Sequence, residues 1–478
     1  MSDCCDKKKG LHTEPDILVI GGGSAGFSAA ITAAEKGANV VMAGEGTIGG
    51  TCVNVGCVPS KNLIRATEAV HRGNNADRFD GLKGVSEIFD WEALVQQKQQ
   101  LVDGLRKTKY EDLLPEYPNI SYVAGRARFT GSGNEVDVDG TLYHPNKIIL
   151  ATGASAALPP INGIQSVAVL DSTKALELKE LPESLLIIGG GVIGCELGQM
   201  FARADVKVTI CCRSRLLPDV EPEVSAALTA HFRKEGVTVC AGIGYQKIEQ
   251  DGKAVKLTCQ TDDGEKFIKA EQVLAAAGRK PNTRTLQHEK AGIDLNARGG
   301  IRIDEFMRTS NPDVYAVGDV TGHDMFVYMA AYGGKLAARN ALNGNKNGYS
   351  NATMPAVVFT DPQMATVGLT EAEAKARGFD VKTSTVTLDN VPRFIASRET
   401  DGLIKLVADN ATDRLLGATI LAPEAGDSIQ TVVMALKAGL TTEDLGDTIF
   451  PYLTAVEGLK LAAQGFSKDV KKLSCCAG

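Results

Sequence analysis

Cys52 and Cys57 stand in the run Cys52-Val-Asn-Val-Gly-Cys57, with four residues between the two thiols. Val58-Pro59-Ser60-Lys61 and a helical pattern follow, and Pro59 suits a first helical turn. Cys57 is therefore predicted at a helix N-terminus, where the helix dipole favours the thiolate over the thiol. A thiolate so placed is a nucleophile and a ligand for soft metals. A second pair, Cys475 and Cys476, lies in Leu473-Ser-Cys-Cys-Ala-Gly478. Adjacent cysteines do not easily close a relaxed disulfide, but together they can capture one soft metal ion. Cys4 and Cys5 form a third pair, read either as a gatherer of metal or as incidental thiols. Cys211 and Cys212 end an apolar run and read as packed thiols rather than metal ligands.

Glycines mark the framework that must position such groups. Asp16-Ile-Leu-Val-Ile20 reads as a buried strand, and Gly21-Gly-Gly-Ser-Ala-Gly26 follows it. An alanine-rich helix then runs to Lys36, Gly37 stops it, and Asn39 to Ala43 reads as a second strand. The same grammar returns 168 residues later, in Leu185–Ile188, Gly189 to Gly194, a helix to about Ala204, and a strand from Val206 to Cys211. Gly21, Gly23 and Gly26, and again Gly189, Gly191 and Gly194, are G-x-G-x-x-G fingerprints. The first glycine makes the tight turn, the second admits a pyrophosphate close to the backbone, and the third lets helix and strand pack. Two copies in this context predict two dinucleotide sites. The residue after the second strand discriminates between dinucleotides, an acid binding a ribose hydroxyl and an arginine a 2′-phosphate. The first copy offers Glu45. The second ends Cys211-Cys212-Arg213-Ser214-Arg215, without an acid, and so predicts NADPH held by Arg213 and Arg215. Solvated surface arginines are the alternative.

The chain has 478 residues, too many for one core, so two to four domains are expected. Its 44% hydrophobic and 23% charged residues are those of an ordinary globular protein. A net charge of −7 without a long basic run argues against a nucleic-acid surface. No apolar stretch reaches the ~18 residues of a membrane span. Met1 to Glu14 is polar and lacks the apolar core of a signal peptide, so a cytoplasmic location is expected. Eleven cysteines in a reducing compartment point to redox or metal chemistry rather than a disulfide framework. Asp90 to about Leu114 reads as helical and Ile120 to Leu150 as strand-rich. Val273 to Gly278 and Val314 to Gly318 read as strands returning to the two sheets. From about Ala352, β-like runs (Ala356–Phe359, Leu403–Val407) precede helices (Ser428–Ala438, Val456–Ala463), which reads as an α+β domain.

On these features the chain resembles the flavin-dependent pyridine nucleotide–disulfide oxidoreductases. The resemblance covers essentially everything after Glu14. It rests on Gly49-Gly-Thr-Cys-Val-Asn-Val-Gly-Cys57, Ala151-Thr-Gly153, Ala277-Gly-Arg-Lys-Pro-Asn282 and Val314-Tyr-Ala-Val-Gly-Asp319. It implies an α/β fold: two Rossmann-like dinucleotide-binding domains plus a C-terminal α+β dimerisation domain. The expected division is a tail over 1–14, an FAD domain over 15–155 and 279–350, an NADPH domain over 156–278, an interface domain over 351–466 and a cysteine tail over 467–478. It further implies FAD in the first site and NAD(P)H in the second. By that resemblance Cys57 lies against the flavin as the charge-transfer thiolate, Cys52 is the outer, interchange thiol, and Asp319 holds the ribityl chain. Thr51, Ala151, Thr152, Gly153 and Gly278 are cofactor contacts, and Lys61 and Glu196 match a pair near the flavin's reactive nitrogen. Without the resemblance, Lys61–Glu196 reads equally well as a structural ion pair. One departure stands out: the family's ribose-binding acid aligns with Gly44, one residue before Glu45.

Most members of that family reduce an organic disulfide, and the departing thiolate needs a general acid. The usual donor is a His–Glu pair in the partner subunit's C-terminal domain. The six histidines here are His12, His71, His144, His231, His288 and His323, so none lies in that domain. The motif position reads Phe450-Pro-Tyr452, with Glu457 retained. A phenol, ordinarily titrating near ~10, donates poorly at neutral pH. The run Phe450 to Ala463, the tail from Leu473 to Gly478 and Lys109-Tyr110 resemble the mercuric reductase branch of the family. That resemblance implies a homodimer with active sites shared between subunits. Cys475 and Cys476 of one chain take Hg(II) from its thiol complexes and pass it to Cys52 and Cys57 of the other. NADPH reduces FAD, and Hg(II) leaves as Hg(0). Tyr110 and Tyr452 would line the metal's path, whereas from residue type alone they read as packing tyrosines. The Cys-x-x-Cys metal-binding domain that often precedes such a core is expected to be absent, because the flavin domain begins near Glu14. The chief rival is a large-type thioredoxin reductase whose tail thiols carry electrons to a protein disulfide. A metal-storage or chaperone protein is a third class, and two dinucleotide fingerprints count against it.

Overall fold

The computed structural model describes residues 13–131 and 133–472. The chain divides into two compact units: Met1–Val58 with Gln100–Ser155 and Arg279–Ser350, and Pro59–Gln99 with Ala156–Gly278 and Asn351–Gly478.

In the first unit the strand β1 (Ile17–Ile20) lies at the centre of a five-stranded parallel sheet. Its neighbours are β2 (Val40–Gly44) on one side and Lys147–Leu150 on the other. Ile120–Ala124, here β3, flanks β2, and Val314–Ala316 closes the far edge. Side chains alternate across a strand. Ile17 and Val19 therefore join one core cluster with Phe27, Ala33 and Met42, while Leu18 and Ile20 join another with Phe129, Val136 and Tyr143. A strand buried on both faces needs an unbroken apolar run, which is what the sequence supplies. The helix α1 (Ser24–Ala34) covers the first face together with Val327–Asn343. A Cβ on Gly334 would stand 2.3 Å from the Ala25 carbonyl oxygen, so that helix packing requires glycine.

The second unit contains the second copy. Ser184–Ile188 lies between Lys207–Cys211 and Gln272–Ala275 in another five-stranded parallel sheet, and Val192–Ala202 is its helix. An antiparallel three-stranded sheet, Gly244–Asp251, Ala254–Thr261 and Gly264–Ala270, has no counterpart in the sequence reading. Only Ala254–Thr261 alternates, burying Val255, Leu257 and Cys259; the two flanking strands are rich in Lys, Glu and Gln and carry little apolar periodicity. The C-terminal region forms a five-stranded antiparallel sheet with the helices Ala425–Ala438 and Glu457–Gln464. Val358, Met364, Leu403 and Leu421 of that sheet share a core with Leu185, Val224 and Leu228.

One acidic cluster in this unit, with Glu221 buried, has the look of a metal site. Ligand atoms of Glu221, Glu223 and Glu371 lie within 4.8 Å of one another. The Lys405 ammonium fills the space between them, at 3.0, 2.6 and 2.8 Å respectively. A cation is thus already supplied by the chain.

Candidate active site

The first glycine turn is shaped by close backbone approaches. Gly21 has φ +133°, and a Cβ there would come within 2.1 Å of the Ala151 carbonyl oxygen. A Cβ on Gly26 would meet the Gly21 oxygen at 1.9 Å, and one on Gly50 the Gly23 Cα at 2.6 Å. Gly23 caps α1 without a side-chain hydrogen bond, so its first N–H groups face outward, as an anion site requires. The second copy repeats the geometry. A Cβ on Gly189 would meet the Ala276 oxygen at 2.3 Å, one on Gly194 the Gly189 oxygen at 2.0 Å, and Gly191 caps Val192–Ala202. Each cradle would be filled by a side chain and fits a pyrophosphate.

Around the first cradle, Ala151-Thr152-Gly153 is laced to Asn282. Thr152 Oγ1 donates to the Asn282 carbonyl at 2.8 Å, Asn282 Nδ2 donates to the Thr152 carbonyl at 3.0 Å, and the Asn282 N–H donates to Gly153 at 2.9 Å. Asp319 is the second residue of the 3₁₀ turn Gly318–Thr321 and is partly buried; burial raises its carboxyl, against the opposing pull of Arg279. Arg279 Nε lies 3.6 Å from the Asp319 carboxylate and is a buried donor with no hydrogen-bond partner. A partly buried acceptor and an unsatisfied donor here suit a ligand rich in hydroxyls.

Two helices meet at the thiols. Cys52 lies within α2 (Gly50–Val55), Gly56 breaks the chain, and Cys57 is the first residue of α3 (Cys57–Asn74). Both cysteines are half-buried. Asn54, which sequence reasoning passed over, pins this turn: Nδ2 donates to the Ile48 and Gly50 carbonyls at 2.8 and 2.9 Å. Its Oδ1 accepts from Arg106 Nη1 at 3.2 Å. A polar residue between two cysteines was the available signal. Thr51 is exposed beside Cys52. Tyr110 sits on a π-helical turn, Lys107–Glu111, where the expected helix departs from α geometry. Its ring meets Phe27 edge-on at 4.9 Å and its hydroxyl lies 3.4 Å from Ser24 Oγ, so it packs against the start of α1.

In the second unit Lys61 Nζ lies 2.7 Å from Glu196, which is buried. The other Glu196 oxygen accepts the Phe359 N–H at 2.9 Å, and Lys61 Nζ stands 4.8 Å from the Phe359 ring centre. The pair therefore also anchors the C-terminal sheet. Tyr452 is 46% exposed, in a turn where Leu453 has φ +60° and its N–H donates to Glu457 at 3.0 Å. At the second cradle Gly278 has φ +119° with open space around it. Arg213 is exposed just beyond Lys207–Cys211, at the 168-residue offset from Glu45. Arg215 differs: its Nη2 donates to the Pro218 and Val220 carbonyls at 2.8 and 2.7 Å. Cys211 and Cys212 are buried in apolar clusters, and burial pushes the Cys212 thiol up to about 11. Cys4, Cys5, Cys475 and Cys476 lie outside the described residues. Among the described residues, no helix is long and apolar enough to cross a membrane.

Residues 15–336 match the family described as pyridine nucleotide-disulphide oxidoreductase, and residues 354–463 match its dimerisation domain. A mercuric reductase of Staphylococcus aureus is 47% identical over 97% of this chain and 84% of its own length. One of Streptomyces lividans is 44% identical over 98% of this chain and 99% of its own. Among solved structures, the Cu(II) complex of the HOCl-induced flavoprotein disulfide reductase RclA from Escherichia coli superposes with a TM-score of 0.83 at 30% identity, covering 94% of this chain and 99% of that one.

Proposed function

Because this chain belongs to the pyridine nucleotide-disulphide oxidoreductase family, we propose that it is a flavoprotein that uses NADPH to reduce Hg(II) to Hg(0). The observation that carries this reading is identity of 44–47% with mercuric reductases over nearly the whole chain. The side-chain inventory agrees with it. Reducing a disulfide liberates a thiolate that needs a proton, whereas Hg(II) takes up two electrons and leaves as the neutral metal. A C-terminal domain without histidine is compatible with the second reaction.

NADPH and FAD are the cofactors, and Hg(II) is the substrate. The N-terminus of Val192–Ala202 and the exposed Arg213 would receive NADPH, and Gly278 leaves room at the same cradle. The α1 N-terminus would take the FAD pyrophosphate, with Asp319 and Arg279 meeting hydroxyl groups. When bound, FAD accepts a hydride from NADPH and makes two electrons available. Cys52 and Cys57 would hold Hg(II) between two thiolates. The balance is NADPH + Hg(II) → NADP⁺ + H⁺ + Hg(0), and both thiolates emerge unoxidised.

The family's dimerisation domain makes the assembly a homodimer. Two-fold interfaces are self-complementary and give two equal sites. In the proposed arrangement Tyr452, Cys475 and Cys476 of one subunit serve Cys52, Cys57 and Tyr110 of the other, and thiolate exchange delivers Hg(II) without releasing the bare ion.

The direct test is anaerobic NADPH titration of the yellow protein followed by Hg(II), with volatile mercury measured. Flavin reoxidation with stoichiometric Hg(0) is expected. Efficient turnover of glutathione disulfide or thioredoxin, without Hg(0), would instead make the chain a disulfide reductase. The coenzyme assignment has its own test. Arg213→Ala removes a charged hydrogen bond to the 2′-phosphate, so KM for NADPH should rise about tenfold or more while KM for NADH stays level. Arg215→Ala should have the smaller effect on that ratio, because its guanidinium already serves two carbonyls. Equal changes for both coenzymes in the Arg213 variant would remove Arg213 from the site.

A further inference from the structure

In a dinucleotide fold the end of the second strand normally carries the acid that binds the adenosine ribose. Here that position is Gly44, the last residue of β2. A side chain there would have to displace the phenol of Tyr122: a Cβ on Gly44 would stand 2.2 Å from the Tyr122 hydroxyl oxygen and 2.9 Å from its Cζ. A Cβ on Gly22, inside the glycine turn, would lie 3.0 Å from the same hydroxyl. The phenol thus enters the angle between the phosphate-binding turn and the end of β2. It arrives from β3, where Tyr122 pairs in register with Met42. The nearest acid points elsewhere, for Glu45 accepts a hydrogen bond from Arg126 Nε at 2.9 Å and the pair lies at the surface.

Tyr122 is half-buried, and burial pushes its phenol up from its ordinary value, so at neutral pH it stays un-ionised. Among the described residues, none hydrogen-bonds to its hydroxyl. A tyrosine oriented by two glycines, with its hydroxyl left for solvent or ligand, differs from one placed for packing alone.

We propose that the Tyr122 hydroxyl is the ribose contact for the adenosine half of FAD, taking the place of the acid that Gly44 cannot provide. The proposal rests on the reading that the first unit binds FAD. A carboxylate can accept from both ribose hydroxyls, whereas a phenol exchanges a single hydrogen bond with one of them. A weaker but still measurable hold on the adenosine follows.

FAD affinity of the diluted holoenzyme, followed by flavin fluorescence, tests this without reference to turnover. Tyr122→Phe keeps the ring and removes one hydrogen bond, so the Kd for FAD should rise about fivefold to tenfold, with thermal unfolding of the flavin-free protein unchanged. Gly44→Glu alone should weaken FAD binding, because the new side chain meets the phenol. Gly44→Glu with Tyr122→Val, which clears the space and suits a strand, should recover at least the wild-type Kd. Wild-type affinity in Tyr122→Phe would overturn the proposal and leave the FAD reading intact. So would failure of the double variant to improve on Gly44→Glu. A wild-type protein that binds no FAD would overturn the underlying reading and the proposal with it.

Discussion

Cys57→Ala is expected to lower NADPH-dependent release of Hg(0) at least ~10³-fold, a loss of ~4 kcal/mol in transition-state stabilisation, while the flavin content of the protein stays unchanged. The expectation begins with the helix. Cys57 is the first of the 18 residues in α3, and its neighbours Val58 and Pro59 leave the first turn regular. The aligned peptide dipoles place ~+0.5 of a charge at that end, favouring the thiolate. Hg(II) is a soft ion that binds thiolates far better than oxygen or nitrogen ligands. An alanine leaves one sulfur at Cys52, and a single ligand neither displaces the arriving thiol nor fixes the ion for reduction. Cys195→Ala is the control, since that thiol is fully buried and burial pushes it up, away from the reactive form. Equal losses in the two variants would point to general thiol damage rather than to a site at Cys57.

The same variant tests the sharing of sites. Co-expressed with a chain carrying Cys475→Ala and Cys476→Ala, it should form mixed dimers in which one complete site is rebuilt, with about half the wild-type activity toward Hg(II) on a bulky dithiol. Mixed dimers as inactive as Cys57→Ala, yet holding FAD, would show that the tail does not act across the interface.

The features legible in the sequence were those encoded within a few neighbouring residues. Ile17–Ile20 and Leu185–Ile188 announced doubly buried strands, because every position is apolar. Gly21 and Gly189 announced tight turns because a Cβ would strike backbone from a distant strand, and this fixes residue type locally. Cys57 at a helix start followed from Pro59. What escaped depends on partners far along the chain. Tyr122 has meaning only beside Gly22 and Gly44, Asn54 only beside Arg106, and Arg279 only beside Asp319. Arg213 and Arg215 looked equivalent as a pair, and only the Pro218 and Val220 carbonyls separate them. The Gly244–Ala270 meander escaped for a different reason: only its middle strand alternates, at Val255, Leu257 and Cys259, while the two flanking strands are largely polar.

Lys405→Ala should reduce folding stability by about 3–5 kcal/mol, the usual result of removing one member of a buried ion pair and leaving the other charge uncompensated. Lys405 occurs within the apolar strand Leu403–Asp409 and, like Glu221, is only 3% exposed. Without the ammonium, Glu221, Glu223 and Glu371 would face one another across the 4.8 Å that now encloses it. Lys405→Met, close in volume, should fare little better, since it fills the space but leaves the carboxylates unneutralised. A triple change that also makes Glu221 and Glu223 into glutamines should recover much of the loss, because neutral amides can bond to one another. The pH dependence follows from Glu371, which Lys375 first and Lys405 next hold down to about 2. A carboxyl depressed on folding contributes stability that is complete above its unfolded value of ~4.3 and is lost as pH falls toward 2. Protonation also relieves the repulsion in Lys405→Ala, so the deficit relative to wild type should narrow between neutral pH and pH 4. Urea unfolding of both proteins at several pH values measures this. A deficit below ~1 kcal/mol at pH 7, the scale of an exposed pair, would mean that the cluster is hydrated and contributes little to the fold.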